Sequence, residues 1–189
     1  MKNSENPFSS DRVAQIPFHF PPGVNWETLL ARLEGQNYCA AIVGRHGSGK
    51  TTLLNELAPR LEERGFQPHF FSLAAEASMK EKERLPEKLR QIRAPGIILL
   101  DGAEQFSTRL WLPVRAAASS AAGFVVTVHR TSRLPTLFEC ETNVFLLDRI
   151  VEDLTGAKLT SDDAEGLLTR HHGNIRTILE ELHARWICE

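Results

Sequence analysis

Residues 39–52 read "CAAIVGRHGSGKTT", and this stretch decides the fold. Cys39 to Val43 form a short apolar run that stops at glycine, the pattern of a buried strand. Leu53, Leu54 and Leu57 follow Thr52, spaced for one face of a helix. Between the two lie Gly44, Arg45, His46, Gly47, Ser48 and Gly49, then Lys50, Thr51 and Thr52. Gly44 to Thr51 matches G-x-x-x-x-G-K-[ST] in full. Glycines let a backbone wrap closely around an anion and turn its N–H groups inward. The helix that follows offers its positive end to the same anion. A lysine at Lys50 is placed to reach β- and γ-phosphates, and a hydroxyl at Thr51 to meet Mg²⁺. A plain strand–turn–helix connection needs one glycine and no lysine, so residues 44–52 are the expected phosphate-binding set.

The surrounding pattern extends the reading. Apolar runs "YCAAIV", "PHFFSL", "GIILL", "GFVVTV" and "NVFLL" alternate with helical stretches such as "KTTLLNELAPRLEERG" and "STRLWLPVRAAASSAAG". Near-continuous apolar strands separated by helices imply a parallel sheet covered on both faces, hence a three-layer α/β fold. Pro59 is expected to bend or shorten the first of these helices. Upstream, "NWETLLARLEG" reads as a helix capped by Asn25, with Leu29, Leu30 and Leu33 on its apolar face. Beyond residue 149 the strand pattern gives way to helices, with Asp162 and Glu165 as a capping pair and Gly173 as a terminator. The expected organisation is a flexible tail over 1–15, a phosphate-binding core over 16–149 and a helical lid over 150–189.

Composition narrows the class. The chain has 189 residues, 42% hydrophobic and 24% charged, with a formal net charge of −2, which suits one compact globular domain. The charge balance does not indicate nucleic acid, and the densest basic stretch, Met79 to Arg93, interleaves glutamates and reads as a solvated helical face. Cys39, Cys140 and Cys188 are too few and too scattered for a disulfide framework or metal set. The polar start and the lack of a bilayer-length apolar run point to a cytoplasmic protein without a membrane segment.

A phosphate loop that holds Mg²⁺ needs a carboxylate at the end of a buried strand. "GIILLDGAEQF" supplies Asp101 after four apolar residues, and Glu104 follows as the candidate to orient an attacking water. "VVTVHR" ends the next strand, bringing Thr127, His129 and Arg130 toward the same edge; Arg130 is the expected phosphate contact, with Thr127 second. In "HHGNIR", Asn174 caps the last helix and Arg176 stands in its first turn, where a cation opposes the helix dipole unless an anion is near. His171 and His172 point apart on a helix and find no third ligand at metal spacing. Phe18 and Phe20 lie in an extended, proline-rich stretch; packing is the simpler reading, stacking on a base the alternative.

These residues resemble the Walker A and Walker B motifs of P-loop NTPases of the additional-strand, catalytic-glutamate class. "LLDGAEQ" is similar to the D-G-x-[DE]-[EQ] arrangement of the AAA-like and STAND-like ATPases, with Gly102 where an adjacent acidic residue is more familiar. "TVHR" resembles the sensor-1 strand of that branch, and "GNIR" its sensor-2 region. "NPFSS…IPFHFPPG…GRHGSGKTTLL" also resembles a group of short bacterial P-loop proteins. The resemblance implies strand order 5-1-4-3-2, Asp101 and Thr51 at Mg²⁺, and Lys50, Glu104 and Arg130 acting on the γ-phosphate. It further implies Arg176 reaching back to the nucleotide, and slow conversion of ATP to ADP and phosphate with lid movement in a regulatory role. An arginine finger from a protein partner or homo-oligomer is a feature of the branch; Arg109 and Arg115 are the candidates, and the sequence assigns the role to neither. No N-K-x-D guanine motif and no L-S-G-G-Q signature is present. A small-molecule kinase, with Arg130 and Arg133 clamping the transferred phosphate, is the alternative.

Overall fold

The computed structural model describes residues 6–130 and 134–188. Its elements run α1 (Ser10–Val13), α2 (Trp26–Gly35), β1 (Cys39–Gly44), α3 (Lys50–Glu62), β2 (Gln67–Ser72), α4 (Met79–Leu89) and β3 (Gly96–Asp101). Then come α5 (Thr108–Ala117), β4 (Gly123–Val128), β5 (Thr136–Cys140), α6 (Val144–Thr155), α7 (Ser161–Arg170) and α8 (Ile175–Cys188). The chain divides into two compact units. One holds Gly23–Gly44 and Lys50–Cys140; the other holds the chain up to Pro22, the loop Arg45–Gly49 and the chain from Glu141 onward.

The first unit is a five-stranded sheet in the order β2-β3-β4-β1-β5, every neighbouring pair parallel. Its strands are apolar along their length because both faces are covered. Ala41, Val43, Ile98, Leu100, Phe124 and Val126 pack with Leu85 and Leu89 of α4 and with Val114 and Ala117 of α5. Alternate residues point to the opposite face, where Ala40, Ile42, Ile97, Leu99 and Val125 are fully buried. There α3 packs on β1, β2, β3 and β4, and α2 on β5. Asn25 caps α2 by accepting from the Thr28 N–H at 2.9 Å, while the Asn25 N–H donates to Thr28 Oγ1. Pro59 does not stop α3, which continues to Glu62.

The sheet order agrees with expectation, but the fifth strand is a different segment. "NVFLL" is the start of α6, and β5 is "TLFEC". The physical reason is at Asn143, whose side chain accepts the Leu146 N–H at 2.9 Å and caps a helix there. Leu147, Val151 and Leu154 then recur on one helical face and are buried. The true edge strand was masked by Glu139, which is exposed within it.

The second unit is organised around a cluster of Leu147, Val151 and Leu154 from α6, Ala164 and Leu167 from α7, and Ile175, Ile178 and Leu179 from α8. Phe8 belongs to this cluster and meets Trp186 edge-on, so the described N-terminal residues pack rather than trail as a tail. The cap of α7 is Thr160, which accepts the Asp163 N–H at 3.2 Å, in place of the expected Asp162–Glu165 pair. Glu181 on α8 gathers Arg170, His171 and Arg185. His171 is thereby engaged in fastening α7 to α8.

Candidate nucleotide-binding site

The C-terminal ends of β1, β3 and β4 carry the polar residues of the sheet unit. Helix α3 begins at Lys50, directly after the glycine loop that leaves β1. Lys50 is buried although charged. Burial lowers its pKa below 10.5, while the charges of Glu104, Cys140 and Asp101 pull it back up. The next residue, Thr51, donates its hydroxyl to Asp101 Oδ2 at 2.9 Å. The two halves of the expected metal site, fifty residues apart in sequence, therefore touch.

Asp101 is held from its other side as well. Thr127 Oγ1 donates to Asp101 Oδ1 at 2.5 Å and accepts the Gly102 N–H at 2.9 Å. Thr127 is 1% exposed, so its hydroxyl is committed to fixing the end of β3 and does not emerge as a phosphate contact. Gly102 follows with φ 84°, and a Cβ there would fall 2.4 Å from the Leu73 carbonyl oxygen. Only glycine suits that corner, which is why an acidic residue does not follow Asp101 directly. A short 3₁₀ turn over Ala103–Gln105 then carries Glu104. Glu104 Oε1 lies 3.0 Å from His129 Nε2, at the exit of β4. Glu104 Oε2 is buried and has no hydrogen-bond partner among the described residues. Arg130 is exposed beside His129. Arg133, its partner in the kinase reading, lies outside the described residues.

The loop Arg45–Gly49 belongs to the other unit and packs with its helices. Gly47 has φ 70°, and a Cβ there would fall 1.9 Å from Asn174 Oδ1 and 3.2 Å from the Arg176 backbone nitrogen. The N-terminus of α8 thus abuts the loop, with Asn174 Oδ1 accepting the Thr177 N–H at 3.4 Å as its cap. The Arg176 side chain is exposed, as are Arg45 and His46. Ser48 is 3% exposed and its hydroxyl oxygen has no partner among the described residues. Phe18 lies against Gly49 and meets Phe20 edge-on, with ring centroids 5.0 Å apart.

Three relations escaped the sequence reading: Thr127 anchoring Asp101, His129 on Glu104, and Cys140 beside Lys50. Each joins residues carried by different elements of the sheet unit, and the strand register that brings those elements together is not written in local pattern. The nearest sequence signal was "TVHR" itself, a polar cluster ending an otherwise apolar strand. Cys140 pairs in register with Gly44, which brings its thiol to the start of the loop. Burial raises that thiol to about 12.

Comparison with known proteins supports the architecture. No family model matches the chain, and no curated protein matches it. Among solved structures, a RuvB variant from Thermotoga maritima superposes with a TM-score of 0.54 at 17% identity, covering 82% of this chain and 58% of that one. AMPPCP-bound DnaA from Aquifex aeolicus gives 0.56 at 18% identity, covering 85% of this chain and 61% of that one. This chain therefore spans less than two thirds of either neighbour, and the likeness is one of fold alone: a five-stranded parallel α/β sheet with flanking helices and further helices at the C-terminal end. No helix among the described residues is long and apolar enough to cross a membrane.

Proposed function

We propose that the chain binds ATP with Mg²⁺ at residues 44–52 and hydrolyses it slowly to ADP and phosphate, as a switch rather than a metabolic enzyme. The observation that carries this reading is the 2.9 Å hydrogen bond from Thr51 to Asp101. Mg²⁺ takes oxygen ligands, keeps most of its water, and needs only one or two protein groups beside the phosphates. A hydroxyl and a carboxylate in contact, next to a buried lysine, fit that demand. Thr51 and Asp101 would hold the ion, which when bound neutralises charge on the β- and γ-oxygens. Lys50 is suited to the same phosphates, since its buried ammonium gains more from an anion than an exposed one would.

Glu104 is the group for the attacking water. Arg130, exposed at the exit of β4, is the candidate for charge on the γ-phosphate. Turnover by the chain alone is expected to be slow. An arginine supplied in trans accelerates this chemistry by roughly 10³–10⁵, and a protein partner or a second copy would supply it, with Arg109 or Arg115 of α5 as donor. The exposed Arg176 adjoins the loop residue Gly47 through its backbone. A γ-phosphate on that loop would offset the unfavourable placement of a cation in the first turn of α8, so the order of α8 would follow the nucleotide state.

The test is calorimetry and steady-state turnover on three proteins. Wild type should bind ATP with Mg²⁺ and release phosphate. Lys50→Ala should weaken binding at least tenfold, through loss of a desolvated charge–phosphate contact. Glu104→Gln should bind normally and turn over slowly. Equal ATP affinity in wild type and Lys50→Ala would overturn the site.

A further inference from the structure

We propose that β2 is a docking edge for a second copy of this chain, the two strands pairing antiparallel about a two-fold axis at Phe70. The proposal stands on the sheet unit alone and does not depend on the ATPase reading. Gln67 donates its N–H to the Pro95 carbonyl at 3.1 Å, and Leu73 donates to the Asp101 carbonyl at 3.0 Å. In the parallel register that sets Gln67 beside Gly96 and Ser72 beside Asp101, residues 67, 69, 71 and 73 turn their backbone groups toward β3. The N–H and C=O groups of Phe70 and Ser72, and the carbonyl of Pro68, therefore face away from the sheet. β2 is the outermost strand on that side, and no group among the described residues takes up these donors and acceptors. The opposite edge is treated differently. On β5, Arg32 donates to the Leu137 carbonyl at 3.0 Å and Gln36 Nε2 to the Thr136 carbonyl at 3.2 Å, while Glu139 adds a charge. Covering and charge are the usual defences of an edge strand against pairing. β2 reads "QPHFFS", without lysine, arginine, aspartate or glutamate. Its Phe70 is 49% exposed, and Ser72 is exposed as well.

The pattern of this edge fits itself. In an antiparallel pair, a residue with both backbone groups turned outward exchanges two hydrogen bonds with the residue opposite. A two-fold axis at Phe70 makes that residue the other copy's Phe70. Ser72 then donates its N–H to the other copy's Pro68 carbonyl, and symmetry repeats the bond. Pro68 has no N–H to offer, so the ladder ends at its ring, a position suited to proline on an edge. Opposite residues share a face, so the two phenylalanines lie side by side with Cα atoms about 5.5 Å apart, an aromatic cross-strand pair. Charge agrees at both ends of the ladder. Antiparallel pairing lays the turn that enters β2 in one copy beside the turn that leaves β2 in the other. The first carries exposed Glu62, Glu63 and Arg64, and the second exposed Glu76 and Lys80. Arg64 and Glu76 are equidistant from Phe70 in sequence, so each copy's arginine comes toward the other's glutamate, and Glu62 and Glu63 toward Lys80. Glu81 is engaged in its own cap with Ser78. The same patch on both copies makes the contact isologous, which closes at two.

The experiment is sedimentation velocity of the full chain over a roughly hundredfold range of concentration, which should show a monomer–dimer equilibrium. Amide exchange at both ends of that range identifies the surface. The Phe70 and Ser72 amides should slow as the dimer fills, while His69 and Phe71, already paired with β3, keep their rates. Phe70→Lys sets like charges opposite each other at the axis and should weaken the dimer at least about tenfold. Ser72→Pro removes only an outward donor, twice per dimer, and should weaken it by about tenfold or more with the near-ultraviolet circular dichroism of the monomer unchanged. A monomer at every concentration, a dimer indifferent to Phe70→Lys and Ser72→Pro, or Phe70 and Ser72 amides whose protection ignores concentration would overturn the proposal. The wild-type exchange rates decide the matter even if a variant fails to fold.

Discussion

Thr127 shows how much of this site is decided by one hydroxyl. It donates to Asp101 Oδ1 and accepts from the Gly102 N–H, so a single oxygen links the carboxylate to the corner that turns toward Glu104. Thr127→Val keeps the shape and removes both bonds. The Gly102 N–H and Asp101 Oδ1 are then left short of a partner, at a cost of about 1–3 kcal/mol. The denaturant midpoint should fall with an unchanged m-value, and Thr127→Ser should recover most of it. A Thr127→Val midpoint equal to wild type would mean that the link carries no net stability. The residue types at this site were legible in the sequence: lysine and threonine after glycines, and an aspartate after an apolar strand. Their pairings were not, because Thr127 and His129 reach Asp101 and Glu104 only through the neighbouring alignment of β3 and β4, where Leu100 sits beside Val126.

At the scale of elements, the segment 136–155 separates what local pattern can and cannot tell. Its first part is an edge strand, and edge strands tolerate a charge such as Glu139. Its second part begins with four apolar residues that suit a strand or a helix equally. Asn143 decides between them by capping α6. Asn143→Ala should therefore cost about 1 kcal/mol, seen as a lower melting temperature and faster amide exchange in the first turn of α6. Asn143→Asp should lose far less, and equal loss in both variants would mean that the cap is not the source. Helices with a clear leucine face, such as α2 and α3, needed no such arbitration. Pro59 was an exception in the other direction, as α3 runs through it to Glu62. Its ring is exposed and clears the packed face.

For the whole molecule, stability against pH collects the buried groups. Burial moves the Cys140 thiol from 9.0 to about 12. Between those values the unfolded chain loses a proton that the folded chain keeps, so stability is full below pH 9 and falls as pH rises toward 12. Lys50 acts oppositely: its lowered pKa means that the folded chain releases a proton before the unfolded chain does, and stability rises up to about pH 10.5. Denaturant melts at pH 8 and pH 10 should therefore show a smaller alkaline loss in Cys140→Ala than in wild type, by about 1 kcal/mol. Identical losses would place Cys140 in contact with solvent. By itself the sequence determined the three-layer α/β class, the order of the sheet through its motif resemblance, the glycine loop and the acidic strand end. Those are written in spacing and in residue type, which survive without knowledge of contacts. Only the tertiary structure decided that "TLFEC" is the fifth strand, that Thr127 serves Asp101, that His129 takes Glu104, and that Asn174 rests on Gly47. Each of these depends on register between distant segments, and register is set by packing across the sheet and among the helices rather than by any local run of residues.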